Sequence, residues 1–387
     1  MLDFIYENQT RMIFGKNALN QLGEQMRKLG SRVMVVYYGD GFVERVGLLD
    51  KVRQQLTESG VEMIELPGVL PNPRMGLAYE GIRICKEKKV EALLAIGGGS
   101  VIDTCKTICM GACYDGDAWD FFTGTQAQRT LPLGVILTIP AAGSESSLDA
   151  VMTLEEGHLK RASCSAPFIR PVFALMDPQV TFTLPPYQTA CGCCDIIAHV
   201  MERYFTPTPE VDVTDRLCEG LISAVMRAAR RVMINPQDYD ARAEIMLAGS
   251  YAHNNMVGIG RVQDWASHGM GHEISALSDA AHGATLAVML PAWMKYVYKA
   301  DVKRFAQFAN RVMEVAYIPD GDEQMALEGI KRFQQFIRDL NLPTRLDQLG
   351  VTAEDIPLMA RKCRRAGSFM PLNEEDIAKV YTIALGE

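Results

Sequence analysis

The first half of the chain alternates short apolar runs, rich in β-branched residues, with stretches of helical periodicity. The apolar runs lie at residues 32–40, 61–68, 91–100, 132–140 and 170–178. Helical spacing fills the intervals at 43–58, 75–89 and 101–114. Strands that are apolar along their whole length are buried on both faces, as in a parallel sheet covered by helices. The pattern therefore predicts an α/β domain built on a parallel sheet.

After residues 183–186 the pattern changes to helical spacing alone. The helical blocks lie at residues 187–205, 212–234, 239–257, 264–277, 282–297, 301–315, 322–340, 353–364 and 374–384. The breaks between them contain proline, glycine, asparagine and aspartate, which interrupt helices. The sequence therefore predicts an α/β domain at 1–184 and an all-α domain at 185–387.

Composition and charge argue against several classes of protein. Of 387 residues 48% are hydrophobic, and the net charge of −8 is unlike that of a nucleic-acid-binding protein. No run of about 18 apolar residues is present, so no membrane span is predicted. The stretch MLDFIYENQTRMIFG lacks the apolar core of a signal peptide. A cytoplasmic protein is expected, with its ten cysteines mostly reduced.

A glycine turn indicates a phosphate site. Gly97-Gly98-Gly99-Ser100 follows a predicted strand and opens a predicted helix. The free N–H groups of a helix start attract anions, and glycine lets the backbone approach a ligand closely. The turn is not the GxGxxG fingerprint, because Ile102 stands in place of the last glycine. The alternative is a tight strand-to-helix turn without a ligand.

Two further strand ends belong to the same predicted edge. Gly39-Asp40-Gly41 follows the first strand, where an acid can hydrogen-bond a ribose hydroxyl and repel a 2′-phosphate. The small and hydroxyl residues of 138–146 follow a later strand. Ligands bind at the carboxyl ends of parallel strands, so three such ends favour a nucleotide. Asp40 alone is equally consistent with an ordinary turn.

A carboxylate and several imidazoles in the second half indicate a metal. Asp195 and His199 lie four residues apart in the otherwise apolar helix GCCDIIAHVMERY, and so share a face. A buried carboxylate is costly unless it is paired or bound to a metal. Three of the six histidines, His268, His272 and His282, fall within 264–291. These donors suit iron, zinc, cobalt, nickel or manganese. The alternative is a set of hydrogen-bonded core histidines, and spacing alone does not select which of them bind.

Taken in order, these motifs resemble the iron-containing (group III) alcohol dehydrogenases, in particular the butanol dehydrogenase-like branch. The resemblance is carried by LPNPR, AIGGGSVIDTCK, TIPAAGSESS, RPVFALMDP, DIIAHVMERYFT, SHGMGHEIS and AAHGATLAVMLP. It implies a Rossmann-like α/β domain followed by an all-α domain. It also implies a divalent metal, with iron first and zinc as the alternative, and a nicotinamide cofactor.

The resemblance also implies roles for individual residues. The metal ligands would be Asp195, His199, His268 and His282, and His272 would be a nearby histidine that contacts substrate rather than metal. Most of the candidate cofactor-binding residues come from the resemblance, and the others belong to the turn after the first predicted strand. Together they are Gly39, Asp40, Gly41, Asn72, Gly98, Gly99, Ser100, Asp103, Thr138, Ser144, Lys160, Thr183 and Leu184.

Three departures from the family pattern stand out. Relatives often have Gly-Gly-Gly-Ser where this chain has Gly39-Asp40-Gly41-Phe42, so NAD(H) is expected to be preferred over NADP(H). The family's cofactor lysine corresponds to Lys160 or to its neighbour Arg161, and the register does not decide between them. The CGCC of 191–194 is richer in cysteine than the pattern.

The predicted function is hydride transfer between NAD(P)H and a short- to medium-chain aldehyde or alcohol at a metal site. The alternatives within the superfold are a dehydroquinate synthase-like lyase and a glycerol dehydrogenase-like enzyme. A metal-dependent hydrolase and a non-enzymatic metal or nucleotide sensor are further alternatives. The segment FIYENQTRMIF is expected either to pair across a two-fold axis, giving a homodimer, or to cover an edge of its own sheet.

Overall fold

The predicted parallel sheet is present in the first half of the chain. The computed structural model describes residues 1–163, 165–364 and 367–386. The strands in this part are β1 Arg11–Phe14, β2 Arg32–Tyr38, β3 Glu62–Val69, β4 Ala92–Gly97, β5 Leu133–Leu137, β6 Val151–Leu154, β7 Leu159–Ala162 and β8 Phe173–Met176. All except β6 and β7 belong to one parallel sheet in the order β1-β8-β5-β4-β2-β3.

The centre of this sheet is buried on both faces, which explains its continuous apolar strands. Every residue of β4 and β5 is buried, and β4 is flanked by β2 and β5. The helices of this half are α1 Leu22–Leu29, α2 Phe42–Arg45, α3 Leu48–Glu58, α4 Met75–Lys88 and α5 Gly99–Ala112. Because the strands are parallel, the turns that follow β2, β4 and β5 leave the same edge of the sheet.

Two features of this half differ from the sequence expectation. Strands β6 and β7 form an antiparallel hairpin that the apolar pattern does not indicate. The predicted helix at 43–58 is divided into α2 and α3, because Gly47 adopts a left-handed conformation with φ of +69°. Strand β1 includes only Arg11–Phe14 of the segment FIYENQTRMIF, and it pairs in parallel with β8 at one edge of the sheet.

The second half is helical, as its periodicity predicts. Its helices are α6 Pro186–Tyr204, α7 Asp212–Ile234, α8 Tyr239–His253, α9 Ala266–Ser278, α10 His282–Val297, α11 Val302–Arg311, α12 Asp322–Asp339, α13 Ile356–Lys362 and α14 Glu374–Leu385. Their buried faces share one hydrophobic core. None of the helices in the described ranges is long and apolar enough to cross a membrane.

The chain divides into two units. One comprises Glu7–Thr183, and the other comprises Leu184–Glu387 together with Met1–Tyr6. The first residues join the helical unit through a hydrogen bond of 2.8 Å from the Leu2 amide to the Gly260 carbonyl. These units differ from the predicted 1–184 and 185–387 at the first six residues and at Leu184.

Candidate metal site and cofactor-binding turns

Helix α6 carries the first two candidate metal ligands. The helix starts at Pro186, a residue whose fixed φ suits the first turn and whose missing N–H is not needed there. Asp195 and His199 lie four residues apart on it, and both are buried. The Oδ1 atom of Asp195 lies 3.5 Å from Nε2 of His199. The carboxylate and imidazole therefore share one face inside the helical core.

Helices α9 and α10 bring two more imidazoles to the same carboxylate. Nε2 of His268 and Nε2 of His282 each lie 3.8 Å from Oδ1 of Asp195. One donor atom from each of Asp195, His268 and His282 lies within 4.8 Å of the other two. The four residues that the resemblance implies as metal ligands are thus assembled from three helices around one carboxylate oxygen.

These side chains fit a divalent cation. Within the described residues, the buried atoms Asp195 Oδ1 and His268 Nε2 have no hydrogen-bond partner. The 3.8 Å that separates them is too long for a hydrogen bond but is suited to two atoms bound to one ion. Burial, followed by the neighbouring rings of His253 and His268, holds the pKa of His199 well below its usual range. A neutral imidazole has the lone pair that a metal requires.

His272 lies beside these donors rather than among them. It is buried one turn after His268 on α9. Its ring centroid lies 5.1 Å from that of His282 and 6.4 Å from that of His268. His272 therefore lies next to two of the candidate ligands. His253 packs against His199 with ring centroids 4.1 Å apart.

Glu202 lies three residues after His199 on α6 and is not among the site residues predicted from the sequence. Its carboxylate is buried and accepts a hydrogen bond of 3.0 Å from Nδ1 of His268. A glutamate on the same helix as two candidate ligands was the available signal. Its partner could not be inferred from spacing, because α9 lies far from it in the sequence.

The glycine turn after β4 is needed for close approach of two loops. A Cβ on Gly98 would lie 2.8 Å from the Cβ of Ile139, and a Cβ on Gly97 would lie 2.4 Å from a methyl of Val101. Gly99 and Ser100 begin α5, so this turn presents helix N–H groups at the sheet edge. Thr138 follows β5 and donates its amide to the Gly97 carbonyl at 3.0 Å.

The turn after β2 holds Asp40 in an exposed position. Oδ1 of Asp40 accepts a hydrogen bond of 2.9 Å from the amide of Phe42. Gly41 is left-handed with φ of +71°, and a Cβ on Gly39 would meet the Cα of Gly68 at 3.0 Å. One carboxylate oxygen of Asp40 is thus held by its own turn.

Asn72 and Lys160 lie together. Nζ of Lys160 donates a hydrogen bond of 2.7 Å to Oδ1 of Asn72, and the lysine side chain is buried. The adjacent Arg161 points its guanidinium to the Lys160 carbonyl at 2.8 Å. Lys160 is therefore directed at another candidate cofactor residue.

Asp103 and Ser144 belong to a buried network around Lys106. Asp103 accepts hydrogen bonds from the Ser144 hydroxyl at 2.5 Å and from the Val151 amide at 2.8 Å. Nζ of Lys106 donates to Ser144 Oγ at 2.9 Å and to the Asp149 carbonyl at 2.7 Å. Burial lowers the pKa of Lys106 to about 8, and burial raises that of Asp103. Lys106 is not among the predicted site residues, although this lysine holds the loop that carries Ser144.

Thr183 and Leu184 are the last candidate cofactor residues. Thr183 is exposed and ends the α/β unit, and Leu184 is buried and begins the helical unit.

Comparison with known proteins identifies the family. Residues 9–178 match the family described as iron-containing alcohol dehydrogenase. Residues 189–385 match the C-terminal domain of the Fe-containing alcohol dehydrogenase family. The chain belongs to the iron-containing alcohol dehydrogenase family. The family resemblance inferred from the motifs is therefore confirmed, as is its fold of a parallel-sheet region followed by helices.

Relatives cover almost the whole length of this family member. A probable NADH-dependent butanol dehydrogenase of Bacillus subtilis is 38% identical and covers 100% of both chains. The NADPH-dependent aldehyde reductase YqhD of Escherichia coli is 36% identical over 95% of this chain and 94% of its own length. The crystal structure of an NADH-dependent butanol dehydrogenase A from Thermotoga maritima superposes with a TM-score of 0.95, 34% identity and 99% coverage of both chains.

Proposed function

We propose that the chain is a metal-dependent alcohol dehydrogenase that reduces short- to medium-chain aldehydes with a nicotinamide cofactor. The observation that carries the proposal is the buried Asp195 carboxylate, which faces three imidazole nitrogens at 3.5 to 3.8 Å. Family membership and the full-length butanol dehydrogenase and aldehyde reductase relatives support the same activity.

Asp195, His199, His268 and His282 would hold the metal, with iron first and zinc as the alternative. When bound, the divalent ion supplies Lewis acidity toward the carbonyl oxygen, and the reduced nicotinamide supplies the hydride. The protein's own contribution is to keep the imidazoles neutral, oriented and away from bulk water. Burial holds the pKa of His199 well below its usual range, which supports that contribution.

His272 would supply the proton that the product alcohol needs. The resemblance leaves it outside the ligand set, and its ring centroid lies 5.1 Å from that of His282. An imidazole titrates near neutral pH, so it can give and recover a proton during turnover. The transfer would run directly to the substrate oxygen or through one water molecule.

The cofactor would bind at the turns of the α/β unit. Gly98, Gly99 and Ser100 would bind the pyrophosphate at the start of α5, and Asp40 would hydrogen-bond the ribose. The other proposed cofactor residues are Gly39, Gly41, Asn72, Asp103, Thr138, Ser144, Lys160, Thr183 and Leu184. Because Asp40 repels a 2′-phosphate, NAD(H) would be preferred over NADP(H).

A cytoplasmic homodimer is part of the same proposal. Within the described residues the cysteines are free thiols, which suits a reducing compartment. Strand β1 is an edge strand of its sheet, and its outer edge would pair with that of a second copy.

The test is NADH oxidation with butyraldehyde, followed optically. Protein purified without oxygen and stripped with chelator should be inactive, and ferrous iron should restore activity. His268→Ala should lose the bound metal, because a ligand is removed. His272→Ala should keep its metal and lose turnover. Equal metal content in both variants would overturn these roles, and inactivity with every metal and both cofactors would overturn the proposed activity.

A further inference from the structure

Glu202 connects two of the helices that carry the candidate metal ligands. It lies on α6, three residues after His199, and the residue is 2% exposed. Its carboxylate points at the first turn of α9. Oε1 accepts hydrogen bonds of 3.0 Å from both the backbone amide and the ring Nδ1 of His268. Oε2 accepts one of 2.7 Å from the amide of Trp265.

The ring contact fixes which nitrogen of His268 faces the metal position. A carboxylate oxygen accepts hydrogen bonds, so the proton of the neutral imidazole lies on Nδ1. The lone pair is then on Nε2, the atom that lies 3.8 Å from Oδ1 of Asp195. In metal sites, a carboxylate behind the imidazole sets its tautomer, orients its ring and increases its basicity.

The backbone contacts fix the position of α9 itself. Trp265 precedes the helix with a left-handed φ of +72°, a conformation that is unfavourable for a bulky residue. The Trp265 and His268 amides belong to the helix start, where N–H groups lack partners within the helix. Glu202 accepts from both of them, and its own carbonyl accepts from the Asp264 amide at 2.8 Å. One glutamate therefore sets both the start of α9 and the ring that α9 presents.

We propose that Glu202 is a positioning residue of the metal site, which presets Nε2 of His268 for the ion before the ion binds. The proposal rests on the metal site of the proposed function. It requires that weakening the carboxylate reduces metal affinity and alters the coordination geometry, even though Glu202 is not a ligand.

The principal test is Glu202→Gln, which has nearly the same shape but presents an NH₂ group to one of its former donors. Affinity for Zn²⁺, measured by competition with a chelator at fixed pH, should fall by about 10- to 100-fold. The d–d absorption bands of the Co²⁺-loaded chain should shift in position or intensity, because the ligand geometry changes. Unchanged affinity together with unchanged Co²⁺ bands would overturn the proposal.

Glu219→Gln is the matched control. Glu219 is also a buried glutamate of the helical unit, but its Oε1 accepts from Tyr204 at 3.1 Å and from Arg311 at 3.2 Å. Its loss should weaken the fold and leave Zn²⁺ affinity and the Co²⁺ spectrum unchanged. An equal loss of affinity in both variants would mean that Glu202 acts only through general stability.

A measurement on the unsubstituted chain covers the case in which Glu202→Gln does not fold. Long-range ¹H–¹⁵N spectra of the Zn²⁺-loaded, histidine-labelled protein should show His268 protonated at Nδ1 and metal-bound at Nε2. The reverse tautomer would overturn the proposal. Chelator competition also separates the two proposals. If the unsubstituted chain binds no Zn²⁺, the proposed metal site is wrong. If Glu202→Gln binds Zn²⁺ as tightly as the unsubstituted chain, only the proposed role of Glu202 is wrong.

Discussion

The preference between NAD(H) and NADP(H) is expected to depend on the carboxylate of Asp40. It is exposed after β2, and one oxygen is held by the Phe42 amide at 2.9 Å. The carboxylate is therefore held close to its own turn. Since a 2′-phosphate is itself negative, placing it near Asp40 should be unfavourable.

Asp40→Ser should raise kcat/KM with NADPH relative to NADH by about tenfold, equivalent to about 1.4 kcal/mol. Serine keeps a hydroxyl that can accept from the turn and removes the charge. The measurement is initial rates of aldehyde reduction with each cofactor. Glu44→Ser removes an exposed acid from the adjacent helix and serves as the control. An unchanged ratio in Asp40→Ser, or an equal change in the control, would contradict the assignment.

Individual site residues differ in how far the sequence could predict them. Asp195 and His199 stand out because two costly polar side chains share one face of an apolar helix. Glu202 does not, since a glutamate late in a helix is usually solvated, and its burial depends on how α9 packs. Lys106 is similar: its four hydrogen bonds go to Ser144, Ser147 and Asp149, which a distant loop supplies.

Helices α6 and α10 lie in close contact at Gly283, next to His282. A Cβ on Gly283 would lie 2.0 Å from the carbonyl oxygen of Cys191 and 2.7 Å from its Cα. These obstacles are backbone atoms, so a side-chain rotation cannot relieve the clash. Cys191 precedes Asp195 by one helical turn. The distance between the two helices at this glycine therefore sets the distance between two candidate ligands.

Gly283→Ala should lower the free energy of unfolding by about 2 kcal/mol, as overpacked substitutions do. It should also weaken Zn²⁺ binding, because the clash moves His282 away from Asp195. Denaturant unfolding and chelator competition measure the two effects. Gly220→Ala in α7 is the control: a Cβ there meets nothing within 4 Å, so the gain in helix propensity should stabilise by about 0.5–1 kcal/mol. Normal stability and Zn²⁺ affinity in Gly283→Ala would show that α10 can shift at no cost.

At the level of elements, burial decides what the sequence reveals. Strands β4 and β5 are buried on both faces, and their apolar runs predict them directly. The hairpin of β6 and β7 is only partly buried and includes Lys160 and Arg161, so its composition resembles that of a loop. The helices of the second half follow their periodicity because one face of each supplies a shared core.

At the level of the whole molecule, the residues proposed to bind the cofactor and those proposed to bind the metal lie almost entirely in different units. The proposed cofactor residues, apart from Leu184, lie in Glu7–Thr183. The four candidate metal ligands lie in the helical unit. A ligand that binds only the folded state stabilises it by about 2.7 kcal/mol at a concentration of 100 Kd. Because the metal and the cofactor would be bound by residues of different units, each should protect a different part of the chain against hydrogen exchange.

Hydrogen exchange followed by mass spectrometry checks this division. Zn²⁺ alone should slow exchange mainly in α6, α9 and α10, because local opening there requires loss of the ion. NADH alone should slow exchange mainly in the turns after β2, β4 and β5. His268→Ala should abolish the Zn²⁺ effect and leave the NADH effect intact, since the substitution removes a metal ligand from a unit that holds only one of the proposed cofactor residues. Protection of the β4–α5 turn by Zn²⁺ alone, with α9 and α10 unchanged, would show that the metal and cofactor assignments are misplaced.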